Sequence, residues 1–206
     1  MNAKSLSTNP WVRRVHQHKS AFHRTMDCFD ESHSTYRPAP GMLTAADQVL
    51  HVLNSNEYML SGLFGPFDGI GPASRWQRGF GDLSWLRYAN TGDFEAHLPT
   101  SPALAEARSS LGKALELLDQ SLFITALVLE SKGPDELTAP LLENPLFPVD
   151  GLTSEDLLES MFDHVAHHRG ALSQYARLLG LDPKLPYYDL QESQHEMLMS
   201  AAATTG

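Results

Sequence analysis

Residues 153–180 constrain the fold of this chain most, because they predict one long amphipathic helix with a signal at each end. Thr153 with Asp156 three residues later is a variant of the capping box, and acidic groups in the first turn suit the helix dipole. Gly180 follows the last turn, where a left-handed residue commonly closes a helix. Apolar residues recur every three or four positions, at Leu157, Leu158, Met161, Val165, Leu172, Tyr175, Leu178 and Leu179. We therefore expect a helix with one buried face.

Two histidines lie on this helix at a spacing that is typical of metal ligands. His164 and His168 are four residues apart, so both side chains project from one face and can reach a single ion. His51, on a second predicted helix, is the candidate for a third ligand. His167 breaks the same-face geometry with His168, and we expect it at the surface or against a partner. Because a chain with ten histidines contains such pairs by chance, the pair needs this context.

Three further segments predict helices. Residues 10–31 follow Asn9, which is a good cap, and begin with a proline whose missing N–H costs nothing at that position. A second helix starts after Thr44 and ends near Gly65. A third spans residues 101–131 and carries a near-heptad seam of apolar residues without histidine.

These segments predict an all-α fold in a single domain over residues 1–206, because the length suits one domain with a sizeable core. Residues 65–99 are rich in Gly and Pro and form a long connection, which lets the third helix run parallel to the second. We expect an up-down-down-up four-helix bundle with a long crossover between helices 2 and 3. The core covers about residues 10–185, and residues 186–206 form a C-terminal extension that could contain a short last helix.

Polar residues accompany His51 on the second helix. Asp47, Asn54, Ser55 and Tyr58 lie within one or two turns of it on a neighbouring face, which is unusual for a plain core and typical of a pocket wall. Asp47 could accept the second imidazole N–H of His51 as an outer partner. It could equally serve only as a favourable charge in the first helical turn, which is the simpler interpretation.

The long connection is the predicted cover of this pocket. Residues 65–99 leave the second helix at the end beyond His51, and they carry the aromatic and arginine side chains Phe67, Arg75, Trp76, Arg78, Phe80, Trp85, Arg87 and Tyr88. Such a loop could fold over an open coordination position and exclude water. Its arginines could hold an anionic substrate, or they could only pair with carboxylates of this acidic chain.

The remaining histidines predict no further ligand. His18 falls on the apolar stripe of the first helix, where a buried or interface histidine is the simpler interpretation than a fourth ligand. His16 and His23 fall off that stripe and are expected in solvent. His195 lies far along the chain from the other candidates and is expected to be idle.

The three candidate ligands and their flanking residues resemble one known family. YRPAPGMLT stands before His51, and HVAHHRG begins at His164 in a helix that ends in LLG at Gly180. In this order the features resemble the DinB/YfiT-like family of metal-binding four-helix bundles, over roughly residues 10–185. The resemblance implies metal ligands at His51, His164 and His168. It also implies relatives that are thiol-dependent transferases and isomerases using low-molecular-weight thiols such as bacillithiol or mycothiol.

A site of three neutral imidazoles predicts chemistry at an open coordination position. Catalytic zinc sites have three protein ligands and one open position, whereas structural sites are closed. The ion, which could be Zn, Ni, Fe or Mn, would lower the pKa of bound water or hold a thiol as thiolate. Di-iron chemistry is not expected, because Met161 and Val165 stand where a Glu-x-x-His motif needs Glu. We expect a metal-dependent transferase or hydrolase; the alternative is a non-catalytic metal-binding stress-response bundle.

Composition limits the partners. The formal net charge of −10 and the lack of a basic stripe argue against nucleic acid. Neither a run of about 18 apolar residues nor a signal peptide is visible, so we expect a cytoplasmic location without a membrane partner. Cys28 is the only cysteine, which agrees with a reducing compartment. The expected partner is a small-molecule substrate, with a low-molecular-weight thiol as one option, and a homodimer is one option for the assembly.

Overall fold

The computed structural model describes residues 9–75, 101–141 and 151–186, and these residues form helices without a β-strand. The helices are α1 Pro10–Met26, α2 Ala45–Phe64, α3 Pro102–Ala107, α4 Leu111–Glu130, α5 Pro134–Leu137 and α6 Ser154–Leu178, with 3-10 turns at Glu31–His33 and Pro72–Arg75. The predicted all-α class is therefore confirmed for the described part of the chain. None of the helices described is long and apolar enough to cross a membrane.

The helix ends follow the predicted capping residues. Asn9 accepts a hydrogen bond from the backbone N–H of Trp11 at 2.9 Å. Thr44 and Thr153 each cap a helix in a capping box whose third residue is an aspartate. Gly180 has φ +77°, the left-handed conformation that favours glycine after a helix.

The four long helices pack in a ring around one apolar core. Both α1 and α2 contact α4 and α6. The most enclosed of them is α2, in which every residue except Met59 and Phe64 is buried. Because a helix buried on all sides has no solvent to satisfy its polar side chains, the polar residues of α2 need partners inside the protein.

The first helix is shorter than predicted. It ends at Met26, and the chain turns through Glu31–His33 instead of remaining helical to residue 31. Asp30 caps this turn, because its side chain accepts from the N–H of Ser32 at 2.9 Å and its own N–H donates to the ring of His33 at 3.1 Å. Local hydrogen bonds of this kind compete with continued helix, which the apolar stripe alone did not reveal.

The predicted single helix over residues 101–131 is wrong, since the chain breaks into α3 and α4. Ser110 begins a new helix by accepting from the N–H of Lys113 at 3.2 Å. The N–H of Leu111, the first residue of this helix, donates to Ser34 Oγ at 2.8 Å. A contact from the distant α1–α2 connection thus supports the new helix start, and no local pattern predicts such a contact.

The beginning of the long connection is fastened to α2 by a buried carboxylate. Glu57 is fully buried, and its oxygens accept from the N–H groups of Ile70 at 2.8 Å and Gly71 at 2.6 Å. Ser121 on α4 donates to the same carboxylate at 2.6 Å. Gly71 leaves no room for a side chain, because an added Cβ would lie 2.5 Å from Asn54 Oδ1. The described start of the connection is therefore held on the same helix as His51.

Candidate metal centre

The three histidines that were predicted as ligands lie together between α2 and α6. His164 Nε2 is 3.1 Å from His51 Nε2 and 3.0 Å from His168 Nε2. One ring nitrogen of each histidine lies within 4.8 Å of the others. Two nitrogens that each bind an ion at about 2.1 Å are separated by about 3.0–3.4 Å. The three side chains are thus positioned to bind a metal ion.

Burial keeps these imidazoles in the neutral form that binds metals. Only 1% of His51 and 2% of His168 are exposed. Desolvation, followed by the neighbouring imidazole of His168, lowers the pKa of His51 well below its usual value. Desolvation lowers the pKa of His164 to about 4 and that of His168 to about 3. All three rings are therefore neutral at pH 7, and no proton must leave before a cation binds.

The donor set fits a divalent transition metal. Within residues 9–75, 101–141 and 151–186, no Cys, Asp or Glu joins the three histidines in the group. A proton on one of the three facing nitrogens can form a hydrogen bond to only one of the other two nitrogens. A cation at their centre can be bound by all three. Imidazole suits Zn, Ni and Fe alike, so the donor set does not select among these predicted ions.

One candidate ligand, His168, has a hydrogen-bond partner that the sequence did not reveal. His168 Nδ1 contacts Gln48 Oε1, and Gln48 Nε2 donates to the hydroxyl of Tyr175 at 3.2 Å. That hydroxyl donates to the carbonyl of Leu43 at 3.0 Å. The available signal was spacing: Gln48 precedes His51 by three residues and Tyr175 follows His168 by seven, so both lie on the ligand-bearing faces.

Asp47, the predicted outer partner of His51, makes the contacts of a helix-start residue. Its Oδ2 accepts from the hydroxyl of Thr44 at 2.7 Å. Its Oδ1 accepts from Arg108 Nε at 3.2 Å, and the carboxylate is 1% exposed. These contacts agree with the interpretation of Asp47 as a first-turn charge, and they also tie α2 to the break between α3 and α4.

The other predicted pocket residues take different places. Ser55 Oγ lies 3.5 Å from His51 Nε2, next to the histidine group. Asn54 is 5% exposed and lies against Gly71, and its amide has no hydrogen-bond partner within the described residues. Tyr58 is 1% exposed and belongs to the apolar core. Among the predicted pocket residues, Ser55 is therefore the one that lies next to a candidate ligand, His51.

The long connection is described only in part. Arg75 at its near end pairs with the exposed Asp68 at 3.1 Å, as the simpler interpretation of the arginines expected. The residues from Trp76 onward, including Arg78, Trp85 and Arg87, lie outside the described residues, as does His195. That the connection covers the histidine group therefore stays a prediction.

The histidines that were not expected to be ligands lie elsewhere. His16 and His167 are exposed. His23 is only partly exposed, contrary to expectation, because its Nε2 lies 2.7 Å from Asp119 of α4. His18 packs on the ring of Phe162 with centroids 4.8 Å apart, in agreement with a role in packing.

The environment of His18 predicts an acid-sensitive contribution to stability. Burial, and then the nearby Arg169, lowers the pKa of His18 to about 4. Because this pKa lies below that of the unfolded chain, protonating His18 costs more in the folded protein than in the unfolded chain. The fold therefore has its full stability above pH 6.5, and this contribution is lost as the pH falls toward 4. We expect His18→Gln to reduce the stability lost between pH 7 and pH 4.5 by about 1 kcal/mol, allowing for partial solvent exposure.

Urea unfolding at both pH values measures this difference. His16→Gln, a change to the exposed histidine on the same helix, is the control and should keep the wild-type pH dependence. An unchanged loss in His18→Gln would show that His18 does not contribute to acid sensitivity.

Comparison with known proteins agrees with the histidine geometry. Residues 14–172 match the sequence profile of the DinB superfamily. All three histidines of the group lie within the matched residues. Neither the comparison with curated proteins nor that with solved structures gave a significant match.

Proposed function

Because the chain belongs to the DinB superfamily, we propose that it is an enzyme that depends on a divalent metal ion held by His51, His164 and His168. The proposed reaction class is group transfer to or from a low-molecular-weight thiol, or hydrolysis. The observation that carries the proposal is the group of three neutral imidazoles, two of them buried and that of His164 partly buried, which no Cys, Asp, Glu or further His joins among the described residues. Three protein ligands with one position left open are typical of catalytic rather than structural sites.

The chemistry follows from the charge of the site. A divalent ion bound there would lower the pKa of a water or thiol at its open position, so that a nucleophile exists at neutral pH. Because three imidazoles bring no negative charge, the site favours an anionic ligand such as a thiolate or hydroxide. Ser55 places a hydroxyl 3.5 Å from His51 Nε2, where it can hydrogen-bond such a ligand.

A non-catalytic role is the second candidate, and one observation favours it. His51 on α2 and His168 on α6 are at most 2% exposed, so an ion between them would join two helices inside the core. In such a metal-binding stress-response bundle, metal binding would serve mainly to stabilise the fold. An exchangeable ligand on the bound ion distinguishes the enzyme from this alternative.

We propose the up-down-down-up order for the four long helices, on the support of contacts between them. The contacts that bear on direction are Asp47–Arg108, Glu57–Ser121, Gln48–Tyr175, His51–His164, Asn9–Leu129 and His23–Asp119. Residue numbers rise together between α2 and the α3–α4 segment, which supports a parallel pair. They run in opposite directions between α2 and α6 and between α1 and α4, which supports antiparallel pairs.

A cytoplasmic location with a small-molecule partner is also proposed.

Metal analysis followed by a substrate screen tests the proposed function. Protein purified without a histidine tag should contain about one divalent ion per chain. It should then transfer a low-molecular-weight thiol to an electrophile, or hydrolyse a small ester or amide, in a reaction that chelation stops and metal restores. His164→Ala should lose this activity, and His167→Ala, a change to the exposed neighbour, should retain it. Metal-loaded protein with no exchangeable ligand on the ion would favour the structural alternative.

A further inference from the structure

The side chains behind His168 form a continuous hydrogen-bonded chain that ends on the backbone. Gln48 and Tyr175 are 7% and 3% exposed, so solvent has little access to these bonds. Tyr175 is held in place by the ring of Tyr36, which meets it edge-on at a centroid distance of 5.9 Å. The chain thus connects α6 to α2 and to Leu43, just before α2 begins.

The direction of every hydrogen bond in this chain follows from its last member. A backbone carbonyl can only accept, so the hydroxyl of Tyr175 must donate to Leu43. The oxygen of that hydroxyl is then the acceptor for the amide N–H of Gln48. With its nitrogen facing Tyr175, Gln48 turns its carbonyl oxygen to His168 Nδ1. Since an amide oxygen can only accept, the ring proton of neutral His168 must lie on Nδ1.

This proton position determines which nitrogen of His168 can bind a cation. A neutral imidazole with its proton on Nδ1 carries a lone pair on Nε2, and Nε2 is the atom 3.0 Å from His164. His164 has no comparable device, because its Nδ1 is buried without a hydrogen-bond partner within the described residues.

We propose that Gln48 and Tyr175 are positioning residues that hold His168 in the Nδ1-protonated tautomer and so direct its Nε2 lone pair at the metal position. This inference rests on the proposed metal site. It assigns a role to two residues that are not proposed as ligands. Outer partners of metal-binding histidines typically change metal affinity by about 10–100-fold when removed.

The tautomer of His168 can be measured without any metal, by ¹⁵N NMR of the apo-protein. Wild-type protein should show the Nδ1-protonated form. Gln48→Met, which has a similar volume but no acceptor, should shift His168 toward the Nε2-protonated form and weaken zinc binding by about 10–100-fold. Gln48→Glu keeps an acceptor at this position, so it should keep the tautomer and a zinc affinity within a few-fold of wild type.

Two further variants keep the test decisive. Ser121→Ala removes a different buried hydrogen bond to α2 and should leave both the tautomer and zinc affinity unchanged. If Gln48→Met does not fold, Tyr175→Phe decides, and it should give a mixture of tautomers with zinc affinity lowered about 2–10-fold, less than removal of the direct partner.

The proposal is overturned by an Nε2-protonated His168 in the wild-type apo-protein. A folded Gln48→Met protein with unchanged tautomer and zinc affinity also overturns it, as does the same result in Tyr175→Phe if Gln48→Met does not fold. An Nδ1-protonated His168 in a protein that binds no zinc refutes the metal site and supports the hydrogen-bonded chain.

Discussion

His168→Ala should lower the affinity for zinc or nickel on the order of 1,000-fold, or about 4 kcal/mol. The variant removes one of the three proposed ligands, so its effect should exceed the 10–100-fold loss that follows removal of an outer partner. It also removes the ligand whose Nδ1 is tied to Gln48. Titration calorimetry on protein without a tag measures the affinity directly.

Thermal unfolding gives an independent measurement of the same loss. A metal at 100 times its dissociation constant stabilises the wild-type fold by about 2.7 kcal/mol, and this gain should vanish in His168→Ala. His167→Ala is the matched control, because it removes an exposed histidine one position away on the same helix. Equal affinities in the two variants would mean that the three histidines do not form the metal site.

Glu57→Ala should destabilise the fold by about 4 kcal/mol. The buried carboxylate accepts from Ile70, Gly71 and Ser121, and each donor left without an acceptor costs about 1–3 kcal/mol. Urea unfolding measures the loss. Hydrogen exchange at the amides of Ile70 and Gly71 should increase, since the described start of the connection is held to α2 by these bonds.

Two variants separate this role from a general effect of removing charge. Ser121→Ala removes one donor and leaves the other two bonds in place, so it should cost about 1 kcal/mol. Glu116→Ala, at an exposed position of α4, should change stability by less than about 0.5 kcal/mol. A Glu57→Ala protein as stable as Glu116→Ala would show that the carboxylate does not hold the connection.

Burial also gives Glu57 a characteristic pH dependence. It raises the pKa of Glu57 above its ordinary value of 4.5, so the folded protein binds this proton more tightly than the unfolded chain. The contribution of Glu57 to stability should therefore decrease as the pH rises from 4.5 through the folded-state pKa. Glu57→Gln, which cannot ionise, should lack this decrease.

The sequence by itself determined the helical class, most helix starts and the identity of the histidine group. Asn9, Thr44 and Thr153 act within a few residues of their own position, so their capping role can be read locally. The spacing of His164 and His168 is likewise a property of one helix. His51 became a candidate through its polar neighbours and through the resemblance to a family. The match of residues 14–172 to the DinB superfamily confirms that resemblance.

Only the tertiary structure decided which side chains surround that group. Gln48 and Tyr175 are 127 residues apart, and the bond between them exists only because α2 packs on α6. The break before α4 likewise involves Ser34, a residue 77 positions away from its partner Leu111. Such contacts leave no periodic signal, because one hydrogen bond between distant segments constrains no neighbouring position in the sequence. Capping and helix periodicity act over one or two turns, whereas the burial that makes these bonds strong comes from the whole assembled core.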